Sequence, residues 1–227
     1  MTRTRLSAAD RRTDILAGAR RAYARHGLNA SSQQLAAEAG VSEALVFRHF
    51  GSKLGLYKAV LRDLIEDQNA AYEAMGLTGT GAQGLTAMLT TYFRACLEGR
   101  QATHAERIRI IFANLAAEGD FARMTYRRAV RLGMQPLQTA LDQARADGDL
   151  TGLPISPSNV IMLLEHIGSM ITLASGPGQP IGSYDGSHDE RLRQLIWFAG
   201  RGIGLSEDAL IAHTPAALLT ESEDTPD

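Results

Sequence analysis

Residues 42–53, Ser-Glu-Ala-Leu-Val-Phe-Arg-His-Phe-Gly-Ser-Lys, bring two cations, an imidazole, two aromatic rings and two hydroxyls into one short segment. The chemistry available to such a set is recognition of a polyanion. Guanidinium and ammonium groups neutralise phosphates, while neighbouring polar groups hold the register. These side chains need a scaffold, and the preceding residues supply one. Apolar Leu35, Ala36 and Ala39 mark the inner face of one short helix, and Leu45, Val46 and Phe50 that of the next. Gly40 gives the backbone freedom for the turn between them. Ser42 is placed to cap the second helix through its hydroxyl. Glu43, Ala44, Phe47 and Arg48 then stand at outer, groove-facing positions. Lys53 opens a further helix, whose N-terminal amides also attract anions. His49 reads either as a phosphate contact or as a turn residue facing water. Two helices around a glycine turn, followed by cations, imply double-stranded DNA as the partner.

The charge distribution agrees. The 227-residue chain has a net charge of only -2, but residues 1–62 hold 11 lysines and arginines against 4 acids, and the remainder holds 12 against 21. A basic head on an acidic body suits phosphate attraction at one end. The length suffices for a small domain and a medium one, each with its own core.

Enzyme chemistry finds little support. The histidines at 26, 49, 104, 166, 188 and 213 include no pair four residues apart, and Cys96 is the only cysteine. No zinc set follows, and neither a metal nor a cofactor is expected. The glycine- and proline-rich stretch 175–187 follows no strand, so it reads as a connection and not as a phosphate cradle. The most apolar window, 160–173, is interrupted by Glu165, His166 and Gly168 and falls short of the roughly 20 residues that span a bilayer. A single cysteine and an N-terminus without an apolar signal core predict a cytoplasmic protein with no membrane segment.

The periodicity is helical throughout. Ser7, with Asp10 three residues on, caps a first helix whose apolar face carries Ile15, Leu16, Ala19, Ala22 and Tyr23. Further helices are expected over 53–75, 85–97, 104–117, 121–146, 156–174 and 188–202, each closed by turn chemistry. Pro136 should bend or interrupt the fourth of these six. Nothing alternates with period two, so the fold is all-α. The acidic stretch 205–227 is expected to be a disordered tail.

Residues 14–61 resemble the N-terminal domain of the TetR family of one-component transcriptional regulators. The resemblance rests on a first amphipathic helix over 15–27, Leu35-Ala36, Ala39-Gly40-Val41-Ser42, the aromatic-Arg48-His49-Phe50 run, Ser52-Lys53 and Leu56. Leu45 stands where the family often has threonine, and Phe47 where a tyrosine usually offers its hydroxyl to a phosphate. The resemblance implies a three-helix helix-turn-helix domain over 8–52. A helical effector-binding and dimerisation domain would follow over 53–204, entered through a linking helix 53–75. Residues expected at the DNA are Ser31, Ser42, Glu43, Ala44, Phe47, Arg48, His49 and Lys53. By the same resemblance, helices 156–175 and 188–203 would pair with their copies in a second subunit.

Composition bears on two of these implications. Leu163, Ile167 and Met170, with Leu192, Leu195, Ile196 and Phe198, belong to helices that are apolar over more of their circumference than one core face needs. They are the candidate dimer interface, although burial inside one subunit explains the pattern too. Met88, Tyr92, Phe93, Cys96, Ile111, Phe112, Met124 and Met134 place adaptable methionines beside aromatics, which suits an apolar small-molecule effector. Ordinary core packing accounts for them equally well. Glu165 and His166, polar in an apolar helix, would anchor a ligand, meet across the dimer or face solvent. The expected protein is a homodimeric repressor released from an inverted-repeat operator by a small effector. The alternative is a DNA-binding adaptor whose body takes a protein partner.

Overall fold

The computed structural model describes residues 7–75, 79–98, 102–174 and 184–219. Its elements are α1 (Ala8–His26), α2 (Ser32–Glu38), α3 (Glu43–Phe50), α4 (Lys53–Met75), α5 (Gly81–Glu98), α6 (Ala102–Leu115), α7 (Asp120–Ala146), α8 (Pro157–Ala174), α9 (His188–Ile203), α10 (Glu207–His213) and α11 (Ala216–Leu219). Among the described residues the only β pairing is an isolated bridge between Leu150 and Leu205, so the chain is all-α.

Side-chain caps set the helix starts. Ser7 accepts from the Asp10 amide at 3.0 Å to begin α1. Ser31 and Gln34 form a reciprocal capping box on α2, and Ser187 and Glu190 repeat it on α9. Pro136 does not interrupt α7. The helix runs through it, because Ala129, Leu137, Ala140 and Leu141 are buried on either side and their packing outweighs the one missing backbone bond.

The chain packs as two units. The first joins the described residues up to Ala70 with Ala102–Thr125, and its core includes Ile15, Tyr23, Leu35, Val46, Leu56 and Leu64. Most of α4, all of α6 and the start of α7 thus belong with α1–α3, and the packing does not divide at residue 52. Buried polar bonds tie this unit together: Gln68 donates to the Thr125 carbonyl at 3.2 Å, and the Asn114 side chain accepts from the Ala122 amide at 3.0 Å.

The second unit holds the rest of the described residues around Leu85, Leu89, Phe93, Leu137, Leu192, Ile196 and Leu210. Here the expectation of a loose tail from residue 205 fails. Residues 207–213 and 216–219 are helical, and Leu205, Leu210 and Leu218 are buried. The Ser206 amide donates to the Asp149 carbonyl at 2.7 Å and the Thr151 amide to the Gly204 carbonyl at 2.9 Å, which fixes the start of this segment. The acidic residues 220–227 lie outside the described residues, as do 175–183 of the expected connection.

Candidate nucleic-acid interface

Local geometry explains how α3 comes to be presented. A Cβ built on Gly18 of α1 would lie 2.4 Å from the Ala39 Cα, so only glycine lets α2 end this close to α1. Gly40, at φ 64°, reverses the chain, and the Val41 amide returns to the Ala36 carbonyl at 3.0 Å. Ser42 then accepts from the Leu45 amide at 3.3 Å and starts α3. Val46 is the buried residue of α3, whereas Ser42, Glu43, Ala44 and Arg48 are exposed and Phe47 and His49 half-buried. Ser31 is exposed at the head of α2, and half-buried Lys53 opens α4 just after α3, where Ser52 accepts from the Gly55 amide at 3.0 Å. The residues expected at DNA thus lie on or beside the ends of α2, α3 and α4.

Sequence reasoning did not anticipate where the other cations go. Arg12 donates from Nη1 to the His49 carbonyl at 2.9 Å, and its guanidinium stands 4.2 Å from the centre of the Phe50 ring. It thereby satisfies the carbonyl end of α3 and holds that helix against α1. Arg21 and Arg25 converge on Glu38: Arg21 donates to its carbonyl at 2.7 Å, and Arg25 pairs with its carboxylate. Arg20 is enclosed, with Nη1 at 2.6 Å from Asp63 and 2.7 Å from Asp67 and Nε at 3.8 Å from Glu106. Burial lowers the Arg20 pKa, but the hydrogen bonds to Asp67 and Asp63 outweigh it and leave the pKa raised. None of these partners is near in sequence, so no local pattern announces them. Arg48 and Lys53, by contrast, make no ion pair among the described residues.

This arrangement of capped helix, glycine turn and outward cations is matched by comparison. Residues 15–60 fit the family described as bacterial regulatory proteins, tetR family. Residues 15–60 are therefore a DNA-binding domain of the tetR regulatory type. The chain is read as a DNA-binding transcriptional regulator of this type. A comparison with curated proteins finds no match. Solved structures of the same fold include a TetR-like transcriptional regulator from Rhodococcus sp. RHA1, with TM-score 0.62 and 19% identity over 88% of this chain and 98% of that one. A ketosteroid transcriptional regulator of Mycobacterium tuberculosis gives TM-score 0.60 at 15% identity, over 90% and 100% of the two chains. AibR, solved with isovaleryl coenzyme A and operator DNA, gives 0.59 at 19% identity, over 86% and 100%.

The residues expected at a TetR-family effector site fall in both units. Ile111, Phe112 and Met124 group with the first unit, and Met124 is exposed. Phe93 and Cys96 are sealed in the core of the second unit, where they fill space instead of lining it. Met88 and Met134 are half-buried. The Tyr92 hydroxyl donates to the Leu164 carbonyl at 2.9 Å, and burial, then the Glu165 charge, holds its pKa well above the phenol value. Glu165 accepts from the Tyr72 hydroxyl at 2.7 Å, and exposed His166 meets the Tyr126 ring edge-on at 5.3 Å between centroids. Glu165 is thus a satisfied acceptor inside its own unit.

The expected interface residues divide by helix face. Leu192 and Ile196 are wholly buried in the core of the second unit, because they share the inner stripe of α9 with Ala199 and Ile203, and this removes them from any outward surface. Leu163, Met170 and Phe198 are exposed by 53%, 47% and 68%. Leu163, Ile167 and Phe198 help line an open apolar groove of about 630 Å³ between α8 and α9, with Trp197 in its wall. Leu195 is partly buried against the core. Among the described residues no helix is long and apolar enough to cross a membrane.

Proposed function

We propose that this protein is a homodimeric repressor of the tetR type whose two heads bind an inverted-repeat operator and are released by a small, apolar effector. The observation that carries the reading is the allocation of charge in the head. Arg12, Arg20, Arg21 and Arg25 are spent on internal partners, while Arg48 and Lys53 make no ion pair among the described residues and stand around a short helix whose outer residues are Ser42, Glu43 and Ala44. In this reading Arg48, His49, Lys53 and the hydroxyls of Ser31 and Ser42 hold phosphates, and Glu43, Ala44 and Phe47 meet the groove. The exposed apolar face of α8 and α9 pairs with its copy in a second subunit, because a patch carrying Leu163, Met170 and Phe198 is costly to leave in water. Two heads then face successive major grooves one helical turn apart, about 34 Å.

Release follows from geometry. An effector that tilts α4 alters the separation of the heads. Moving the population from mostly bound to mostly free takes a difference in effector affinity of about 5 kcal/mol between the two states. That AibR was solved with isovaleryl coenzyme A and operator DNA supports binding of both a small molecule and DNA by this fold. The protein is read as acting without catalysis. A mobility-shift assay with DNA flanking the protein's own gene, repeated at rising salt and with Arg48→Ala, tests the proposal. Arg48→Ala should weaken binding across all sequences and reduce the salt slope by about 1 if Arg48 clamps a phosphate. Absence of any duplex binding at low salt, or a purified chain that stays monomeric, overturns it.

A further inference from the structure

Arg107 is a buried charge for which neither DNA binding nor dimerisation has a use. It lies on α6 and is only 9% exposed. Its Nη2 is 2.9 Å from His104 Nδ1, and its Nε is enclosed without a hydrogen-bond partner. No carboxylate pairs with it among the described residues. Arg20, buried to a similar degree in the same unit, has Asp63 and Asp67 within 2.7 Å. At Arg20 the fold supplies the counter-charge. Burying one without a counter-charge is unfavourable unless something else provides it.

The surroundings of Arg107 suit an anion. The guanidinium has no acceptor atom, so in the contact with His104 it is the donor and Nδ1 the acceptor. The neutral imidazole then carries its proton on Nε2, which is a second donor. His104 is held in that neutral form: burial first, then the Arg107 charge, lowers its pKa to about 4. The contact also draws the guanidinium back to the first turn of α6, a 14-residue helix with no acidic residue in that turn. The opening amides of a helix lack acceptors within it, and its dipole is positive at that end. Ala105, Ile108 and Ile111 are buried on the same helix.

We propose that Arg107, the Nε2 of His104 and the opening turn of α6 form an oxyanion-binding site that takes a carboxylate or phosphate group carried on an apolar body. Arg107 supplies the charge, His104 a neutral donor, and the helix the positive end of its dipole. The site belongs to the first unit and uses none of the residues assigned to DNA or to the groove between α8 and α9. Its existence does not depend on the repressor reading, and its test needs no DNA.

Calorimetric titration of the full chain at pH 7 with sodium phosphate and, separately, with sodium octanoate tests the assignment, alongside ¹⁵N spectra of the imidazoles. One probe should bind saturably at one per chain and move the His104 ring signals, with Arg107→Gln weakening that binding at least tenfold and Arg107→Lys less. Saturation by phosphate identifies a phosphate-bearing ligand, and saturation by octanoate identifies a carboxylate. If Arg107→Gln fails to fold, His104→Phe carries the same expectation. The proposal is overturned if neither probe moves His104, or if binding survives unchanged in the folded variants.

Discussion

Replacing Arg20 by Met tests whether the enclosed ion cluster holds the first unit together. The Arg20 side chain is 6% exposed and faces Asp63, Asp67 and Glu106, whose side chains are 29%, 41% and 15% exposed. Methionine keeps most of the apolar volume and deletes the charge, so three carboxylates remain around a site with no cation at its centre. Breaking a buried pair by removing one partner typically costs about 3–5 kcal/mol. Water reaches Asp67 and, to a lesser degree, Asp63, which screens their repulsion and puts the expectation near the lower limit, about 3 kcal/mol. With a urea slope of about 2 kcal/mol/M, the midpoint of the first unit's transition should fall by roughly 1.5 M. The pH dependence supplies a second reading. Burial already raises the Glu106 pKa, and Arg20 opposes that rise. Without Arg20, the folded state takes up protons more readily than the unfolded one. A carboxyl whose folded pKa is raised keeps its stability below the unfolded value and loses it as pH rises through the folded value. The deficit in Arg20→Met should therefore shrink as the pH is lowered through the carboxylate range. Urea unfolding followed by circular dichroism at pH 7 and pH 4.5 decides the matter. A midpoint unchanged at both pH values would refute the claim that the cluster is structural.

Three other outcomes are expected. His104, with its pKa lowered from 6.5 to about 4, favours the fold when neutral. Its contribution is complete above pH 6.5 and is lost as pH falls toward 4, to a limit of about 3 kcal/mol, so His104→Phe should flatten that part of the stability profile measured by denaturation. Gly18→Val puts a side chain where Cβ alone would be 2.4 Å from the Ala39 backbone. It should lower stability by about 1–3 kcal/mol or more and displace α2, reducing duplex binding in parallel with the melting temperature. Phe198→Glu places a charge on an exposed apolar face. It should shift the proposed dimer to monomer by light scattering without a large change in its helical signal, whereas Leu192→Glu, aimed into the core, should unfold it.

The head was largely legible because its determinants are local. Ser7 and Ser42 cap their helices by accepting from the amide three residues on, and Gly40 marks its own turn. What could not be read is anything decided by distant partners. The attachment of Arg12 to His49 and Phe50 spans 37 residues, and that of Arg20 to Asp63 spans 43. The same limit governs the body. An all-apolar helix shows that it is covered but not by what, so Leu192 and Ile196 looked the same as Leu163 and Phe198 until the packing separated inner from outer stripes. The C-terminal segment misled through composition. Its acidic end outweighed Leu205, Leu210 and Leu218, which are buried once the Asp149 and Gly204 carbonyls fix where the segment starts.

The dimensions of α3 bear on how much sequence one head can read. Eight residues at 1.5 Å each make a helix of about 12 Å, the width of the major groove. Such a helix spans roughly four base pairs at 3.4 Å each over its whole length. Its exposed side chains offer Glu43 as an acceptor for a cytosine amino group, Ala44 as an apolar contact for a thymine methyl, and Arg48 as a fork for guanine or a phosphate. Two or three such contacts at about 1–3 kcal/mol each give a discrimination that one head cannot raise far above the background of non-specific sites. In the proposed dimer two heads multiply it, because both half-sites must match and their spacing must fit. On the proposed reading the small surface of α3 and the exposed apolar face of α8 and α9 answer one requirement, and a variant that loses that dimer should lose operator choice before it loses affinity for DNA as a polyanion.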